Sequence, residues 1–318
     1  MKKIVVFGGG TGLSVLLSGL KQFPIDVTTV ITVSDNGSST GVLKKELDIP
    51  AVGDVGKVLI SMANVDEDFT RLLRYRFSKD GSLHNHPVRN IMLAALIDMK
   101  GSLSEATNYM AKLLNVKGTV LPLTEEKVEL VGKSGKKEFY GQLEVSHNVK
   151  HIRRLDYDHS IRICETVIEK IREADLIVFS PGSLYTSILP HLIAPEVTEA
   201  LDQAKAPILY VCNIVTQPGE TDGYQVSDHI KVLNKYLRKR KVDLVLANNR
   251  SPSPEVAAYY YQTEGKEEVR IDREKLDKLD VRLMEADLLS IENGTIRHNS
   301  LKTAFQIFSY MMEIDTDA

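Results

Sequence analysis

A glycine-rich turn near the N-terminus limits the fold of this chain more than any other feature. Residues 8–12 read Gly-Gly-Gly-Thr-Gly, and they follow the short apolar run Ile4–Phe7. Leucines at helical spacing come next, between Leu13 and Leu20, and a second apolar run occupies Val27–Val33. Strand, glycine turn, helix and strand within about 30 residues make a right-handed βαβ unit with parallel strands.

The same alternation of strands and helices returns in the second half of the chain. Apolar runs of strand length occur at Leu176–Phe179, Ile208–Val211 and Val242–Leu246, and helical patterns separate them. We therefore predict an α/β fold, with a Rossmann-like three-layer core around a mostly parallel sheet. We expect residues 1–318 to form a single domain of this type.

One segment departs from this rhythm. The runs Thr119–Leu123, Val128–Val131 and Glu138–Val145 alternate between apolar and polar residues, and Gly132–Lys136 is typical of a turn. We predict a small β-rich insertion at residues 117–152, within the α/β domain, that serves as a lid or an interface element.

Composition excludes several classes of protein. The net charge of −3 provides no overall basic field for nucleic acid, and the balance of 43% hydrophobic and 26% charged residues is typical of a globular protein. No apolar run approaches the roughly 18 residues that span a bilayer. Cys164 and Cys212 are too few for a disulfide framework. We expect a cytoplasmic protein that binds neither membranes nor nucleic acid.

The glycine turn has the chemistry of a phosphate-binding loop. Glycines let the backbone approach a ligand closely, and the following helix directs unpaired N–H groups and a partial positive charge at the turn. Leu13 stands where the dinucleotide fingerprint has its third small residue, and no Gly-Lys-Ser/Thr follows as in a P-loop. The alternative is a tight turn without a ligand.

Further polar groups follow the other predicted strands. Asp35, after the second strand, could accept hydrogen bonds from ribose hydroxyls, or form an Asx turn with its neighbours. Residues 180–187, Ser-Pro-Gly-Ser-Leu-Tyr-Thr-Ser, repeat the logic of the first turn, although Ser183 could be a simple helix cap. Asn213 ends another strand. Ligands gather at the carboxyl ends of such strands, so these groups are expected around one cleft.

Three more segments carry candidate ligand contacts. Arg89 and Asn90 lie in the first turn of a predicted helix and could face a phosphate. Tyr261 could stack on a base or sugar, or belong to the core or an interface. Arg297 could reach an acidic ligand, and its spacing to Ser300 also suits a basophilic kinase.

Catalytic motifs are missing from the sequence. It shows no Ser-His-Asp arrangement, no His-Glu-x-x-His motif and no P-loop lysine. The sequence therefore favours a binding protein over an enzyme.

The ordered motifs resemble those of the YvcK/CofD-like family. The matching segments are Gly8–Leu13, Val33–Ser39, Gly53–Asp54, His86–Asn90 and Ser180–Pro190, and the resemblance covers essentially the whole chain. It implies a Rossmann-like core and a nucleotide-derived ligand, which in the YvcK branch is UDP-N-acetylglucosamine. That branch is needed for growth and cell shape on gluconeogenic carbon sources, is linked to peptidoglycan synthesis and has no established catalytic activity.

The CofD branch of the same family implies an alternative. Its members transfer a phospholactyl group onto a deazaflavin alcohol and use a metal. By that analogy Asp35, Asn36 and Asp54 would supply the carboxylates and the amide of the site. A divalent metal is expected only if the chain is an enzyme of this kind, and no metal site is otherwise predicted.

We thus predict a regulator that binds a nucleotide sugar, with a CofD-like transferase and an NAD-type dinucleotide binder as alternatives. A homo-oligomer is expected, with cell-wall synthesis proteins or a kinase as candidate partners. The predicted ligand-binding residues are Gly9, Gly10, Thr11, Gly12, Asp35, Asn36, Ser38, Ser39, Arg89, Asn90, Pro181, Gly182, Ser183, Thr186, Asn213, Tyr261 and Arg297.

Overall fold

The computed structural model describes residues 1–292 and 294–314, except for the side chain of Ser38. Within these residues the strands are β1 (Lys3–Gly8), β2 (Asp26–Ile31), β3 (Thr119–Pro122), β4 (Leu130–Ser134), β5 (Lys137–Tyr140), β6 (Arg154–Tyr157), β7 (Leu176–Phe179), β8 (Ile208–Val211), β9 (Leu244–Asn248), β10 (Arg282–Ala286), β11 (Leu289–Glu292) and β12 (Thr295–His298).

Helices connect and cover these strands. The α-helices of the described residues are α1 (Gly10–Leu20), α2 (Ser38–Glu46), α3 (Gly53–Met62), α4 (Glu67–Arg74), α5 (Val88–Lys100), α6 (Leu103–Leu113), α7 (Gly141–Asn148), α8 (Glu165–Glu173), α9 (Leu189–Leu192), α10 (Pro195–Gln203), α11 (Val226–Leu237), α12 (Pro254–Glu264), α13 (Arg273–Asp277) and α14 (Ser300–Glu313). A 3₁₀ turn occupies Val149–His151 and a π-helical turn Leu184–Ile188. None of the described helices has the length and apolar character needed to cross a membrane.

One large parallel sheet organises the chain. Its strand order is β10-β9-β8-β7-β1-β2-β3, and every neighbouring pair is parallel. The chain builds outward from β1 to β3, crosses back, and builds outward from β7 to β10. The order therefore reverses between β1 and β7, which is the arrangement of a doubly wound Rossmann-like fold. The predicted fold class is confirmed.

The alternating faces of β1 separate the core into two parts. Ile4 and Val6 belong to the apolar cluster that includes residues of α1, α3 and α14, whereas Val5 and Phe7 belong to the cluster with α8, α10 and α11. All four side chains are at most 1% exposed. Because side chains of a strand alternate in direction, a run that is apolar throughout requires cover on both faces, and this produces the three layers.

The β-rich segment differs from its predicted form. The sequence predicted an insertion at 117–152, but Thr119–Pro122 pairs in parallel with β2 at the edge of the large sheet. The separate antiparallel sheet has the order β5-β4-β6 and continues to Tyr157. The expected strand Glu138–Val145 ends at Tyr140, because Gly141 has a φ of +84° and begins helix α7. The alternation of apolar and polar residues by itself predicts a strand on both sides of Gly141.

Helices α1 and α14 pack closely on the same face of the sheet. A Cβ atom at Gly19 would lie 2.9 Å from the Cβ atom of Ala304 and would also collide with the carbonyl of Ser300. The antiparallel hairpin of β11 and β12 leads directly into α14. This packing holds α14, and with it the end of β12, against α1.

The contact of α1 with the core gives a stability test. Leu17 in α1 is fully buried, whereas Leu301 in α14 is 50% exposed. We expect Leu17→Ala to lower the free energy of unfolding by about 2–5 kcal/mol, because it removes buried apolar surface and leaves a cavity. Leu301→Ala should change it by less than about 0.5 kcal/mol. Urea denaturation measures both, and equal effects of the two variants would contradict this placement of the core.

Candidate functional site

A cavity of about 340 Å³ lies beyond the carboxyl ends of β1 and β7, where the strand order reverses. Ligand clefts of doubly wound sheets occur at this position. Segments from several parts of the chain contribute to its walls. The lining residues are Gly9, Gly10, Thr11, Gly12, Val15, Asp35, Asp54, Lys57, Gln142, Pro181, Gly182, Ser183, Ser187, Asn213, Ile214, Val215, Thr216, Gln217, Lys266, Ile296, Arg297 and His298.

The glycine turn forms one wall, in which Thr11 supplies the one side chain larger than a hydrogen atom. Helix α1 begins at Gly10, so the N–H groups of its first turn have no partners within the helix. Gly10 has a φ of +69°, a conformation that glycine adopts without strain. A Cβ atom at Gly12 would collide with the carbonyl of Pro181. The two predicted turns are therefore in direct contact.

The second turn is stabilised by a buried carboxylate. Ser183 Oγ donates to Glu220 Oε2 at 2.6 Å and accepts from Thr186 N at 3.0 Å. Burial raises the pKa of Glu220, and the bond from Ser183 opposes that shift. Backbone N–H groups of Ser187 and Ile188 both donate to the Ser183 carbonyl, which produces the π-helical turn. Ser183 is thus a helix cap as well as a cavity residue.

Asn213 fixes the peptide of Gly182. Its Oδ1 accepts from Gly182 N at 2.9 Å, and its Nδ2 donates to Gly182 O at 2.8 Å. The sequence predicted that this amide contacts a ligand. In the structure both polar atoms of the amide are engaged by the turn, so Asn213 lines the cavity mainly as a support for Gly182.

Two carboxylates form the acidic wall. Asp35 Oδ1 accepts from Gly37 N at 2.9 Å, and Asp54 Oδ1 accepts from Lys57 Nζ at 2.8 Å. Burial raises the pKa of Asp35, and the neighbouring Asp54 carboxylate raises it further. A Cβ atom at Gly9 would lie 2.9 Å from Asp54 Oδ2, so this carboxylate is adjacent to the glycine turn.

Other residues that line the cavity come from segments that are distant in sequence from the glycine turn. The β11–β12 hairpin contributes Arg297, which is exposed, and His298, which is buried. Gln142 comes from α7, next to the small sheet, and its Nε2 donates to Thr186 Oγ1 at 3.4 Å. Lys266 follows α12. Cations and amides therefore line the cavity together with the glycine turn and the carboxylates.

Not all predicted ligand residues lie in this cavity. Ser39 Oγ accepts from Asn90 Nδ2 at 3.2 Å and lies within hydrogen-bond distance of His86 Nδ1, at 2.9 Å, in a buried cluster outside this cavity. Asn36 and Thr186 are also absent from its lining, although Thr186 bonds Ser183. Tyr261 is 62% exposed and lines a different pocket, because α12 directs it outward.

Two further predicted residues stand apart. Arg89 lines a separate cleft, because helix α5 begins at Val88 and turns its first residues toward α3. The side chain of Ser38 lies outside the described residues. Ligand contact by the predicted residues stays a prediction.

Sequence reasoning missed several residues of the cavity. Lys57 could have been found, because it follows Asp54 by three residues at the start of a helix and such pairs meet on one face. Gln142 and Lys266 carry no comparable local signal. Their positions depend on packing between distant segments.

A buried histidine of this site provides a pH test. His298 Nε2 donates to the carbonyl of Cys212 at 3.0 Å, and burial lowers the pKa of His298 to about 4. In the unfolded chain this pKa is about 6.5. The unfolded state therefore binds the proton first, and the free energy of unfolding decreases as the pH falls from 6.5 to 4.

We expect His298→Gln to reduce that acid-induced loss by about 3 kcal/mol, since the variant cannot titrate there. Denaturant titrations at pH 7 and pH 4 measure the difference. The exposed His151→Gln variant is the control and should behave like the parent protein. An unchanged pH dependence in His298→Gln would contradict a neutral, buried His298.

Comparisons with known proteins agree with the fold and motifs. The family described as CofD, 2-phospho-L-lactate transferase CofD, matches residues 4–289. The gluconeogenesis factor of Bacillus subtilis is 37% identical over 98% of this chain and 98% of its own length. That of Halalkalibacterium halodurans is 39% identical over 95% of this chain and 94% of its own length.

A solved structure is also similar over nearly the whole chain. The crystal structure of a Bacillus halodurans protein of the UPF0052 family superposes with a TM-score of 0.92 at 38% identity, and the match covers 96% of this chain and 99% of that chain. The resemblance indicated by the ordered motifs is thus confirmed. The chain belongs to the CofD/UPF0052 family.

Proposed function

We propose that this protein binds a nucleotide sugar of the UDP-N-acetylglucosamine type and acts as a regulator needed for growth and cell-wall maintenance on gluconeogenic carbon sources. One observation carries the proposal: a cavity at the strand reversal combines a glycine-rich turn with cations and hydroxyl-binding groups. Among the described residues that line it, no serine hydrogen-bonds a histidine side chain. The cavity is therefore better equipped to hold a ligand than to activate a nucleophile.

The chemistry of the walls suits a pyrophosphate with two sugars. The first-turn N–H groups of α1 would receive the phosphates, and Arg297 would neutralise part of their charge. Asp35 would accept hydrogen bonds from ribose hydroxyls. Gln142 and Gln217 would bind hydroxyls or the acetamido group of the second sugar.

The family supports the cellular part of the proposal. Relatives that match essentially the full chain are named gluconeogenesis factors. A binding protein that senses a nucleotide sugar would connect carbon supply to cell-wall precursors. Cell-wall synthesis proteins or a kinase are the partners that we propose for it.

A substitution of Arg297 tests whether the cavity binds a nucleotide sugar. We expect calorimetry to detect binding of UDP-N-acetylglucosamine, and Arg297→Gln to weaken it about 10-fold through loss of a charge-assisted hydrogen bond. Arg172→Gln is the matched control, because Arg172 is exposed on α8 and does not line the cavity. NAD serves as the competing ligand. Absence of heat with the UDP-sugar, or tighter binding of NAD, would reject the proposal.

The acidic wall favours a second candidate, a metal-dependent transferase of the CofD type. Among the described residues, no group of three or more histidine, cysteine or acidic side chains is arranged to hold a metal ion. Even so, Asp35 and Asp54 are neighbouring carboxylates, and the buried Asn36 Oδ1 has no hydrogen-bond partner. Such oxygen donors fit a divalent cation, which would neutralise phosphate oxygens. Asp35 and Asp54 would hold it beside the glycine turn.

Asp35 distinguishes the two candidates. If the protein is a transferase, Asp35→Asn should lower a Mg²⁺-dependent turnover by at least about 100-fold, because one charged ligand is lost. Phosphorus NMR of phospholactate-type nucleotide substrates measures the turnover. Binding of the UDP-sugar with no turnover in the parent protein leaves the regulator as the function.

A further inference from the structure

A buried guanidinium without a counter-ion lies near the glycine turn. Arg89 is only 6% exposed, and its Nε is closed off from solvent with no hydrogen-bond partner. Within the part of the chain that the structure describes, no group accepts a hydrogen bond from Arg89 and no carboxylate pairs with it. A buried charge in this state is costly unless something compensates it.

The surroundings of Arg89 are themselves positive. Burial, together with the neighbouring Arg76 and Arg74, lowers the pKa of Arg89 to about 10, and the Asp54 carboxylate acts in the opposite sense. The guanidinium is still charged at neutral pH. An anion beside it would relieve both the burial cost and the repulsion between these cations.

Arg89 faces a cleft of about 620 Å³ between α1, α3 and α4. This cleft, here called the α1–α4 cleft, shares Thr11, Val15 and Lys57 with the nucleotide cavity and is otherwise separate from it. Its lining residues are Thr11, Ser14, Val15, Ser18, Lys21, Lys57, Ile60, Ser61, Ala63, Val65, Glu67, Thr70, Arg74 and Arg89.

The charges of the α1–α4 cleft do not cancel. Lys57 pairs with Asp54, and Lys21 Nζ donates only to the carbonyl of Ala63 at 2.8 Å. Burial lowers the pKa of Lys21, and Lys117 and Arg74 lower it further. Glu67 supplies the only carboxylate among the described lining residues. The excess is two positive charges, from the three cations Lys21, Arg74 and Arg89 and the one carboxylate of Glu67.

Most hydroxyl groups that line the cleft already donate hydrogen bonds within the protein. Ser14, Ser18, Ser61 and Thr70 each donate to a carbonyl of their own helix, three or four residues earlier. Binding must therefore come from the cations, with Thr11 at the junction of the two spaces. Because a guanidinium offers a planar fork that matches phosphate oxygens, Arg89 is the residue suited to fix such a group.

We propose that the α1–α4 cleft is a second anion site, which binds the dianionic phosphate group of a ligand other than the nucleotide sugar. Arg89 contacts the phosphate from the floor of the cleft, and Lys21 and Arg74 face it from the sides. The excess of two positive charges matches a phosphate monoester or inorganic phosphate, and exceeds what a single carboxylate would neutralise. The site does not depend on the identity of the nucleotide.

Inorganic phosphate is the probe. Calorimetry and thermal unfolding are measured with phosphate against chloride at equal ionic strength, with and without saturating UDP-N-acetylglucosamine. We expect phosphate to bind in both conditions, and Arg89→Met to weaken it at least about 10-fold. The control is Arg71→Met. Arg71 lies on the same helix as Arg74, is exposed and pairs with Asp68, so this variant should bind phosphate as the parent protein does.

A second measurement distinguishes an Arg89 that binds phosphate from an Arg89 that only stabilises the fold. In phosphate-free buffer Arg89→Met should unfold at the same temperature as the parent or higher, because an uncompensated buried charge has been removed. A structural Arg89 would instead give a marked decrease. If Arg89→Met does not fold, the exposed Arg74→Gln replaces it, with an expected loss in phosphate affinity of about 3-fold.

Three results would overturn the second site: no phosphate binding by the parent at millimolar phosphate, equal binding by Arg89→Met, or displacement of phosphate by the nucleotide sugar. The third result would place the phosphate in the nucleotide cavity. Failure of the nucleotide sugar to bind would reject only the proposed function, since the phosphate titrations without nucleotide stand by themselves.

Discussion

The close approach of two turns between the central strands is the constraint on which the rest of this structure depends. Strands β1 and β7 pair in parallel, so their carboxyl ends and the turns that follow meet at one edge of the sheet. Cβ atoms at Gly8 and Gly12 would collide with Ser180 and Pro181. Glycines at these positions permit the contact, and they leave the backbone of the turn as part of the cavity wall.

Other parts of the fold secure that contact. Asn213, at the end of β8, holds the Gly182 peptide with two reciprocal hydrogen bonds. The buried Glu220 orients Ser183. Packing of α14 against Gly19 holds the β11–β12 hairpin beside α1. Each support comes from a different segment, so the cavity exists only in the complete fold.

Charge is distributed unevenly around α1. The cavity at the strand reversal contains carboxylates as well as cations, with Asp35 and Asp54 beside the glycine turn. The α1–α4 cleft is mainly cationic. Lys57 and Thr11 line both spaces, and Lys57 is paired with Asp54, so these residues connect the acidic wall to the positive cleft.

Local sequence signals predicted the central elements of the fold but not all of their surroundings. The apolar run before the first glycines requires burial on both faces, which gave the parallel sheet and its three layers. The alternating segment was predicted less well. Thr119–Pro122 pairs with the large sheet, and helix α7 follows Gly141 where a strand was expected. Alternation of apolar and polar residues alone does not determine which sheet a strand joins, or at which residue a positive φ ends the strand.

The sequence by itself determined the two glycine-containing turns and the edge of the sheet at which they lie, because strand direction and backbone freedom are local properties. Tertiary structure decided which side chains meet there. Only packing separates Arg89 from the cavity at the strand reversal, directs Tyr261 outward, and brings Gln142, Lys266 and Arg297 to the cavity wall. These residues are far apart in the chain, and contacts between distant segments depend on the burial of surfaces that no local pattern encodes.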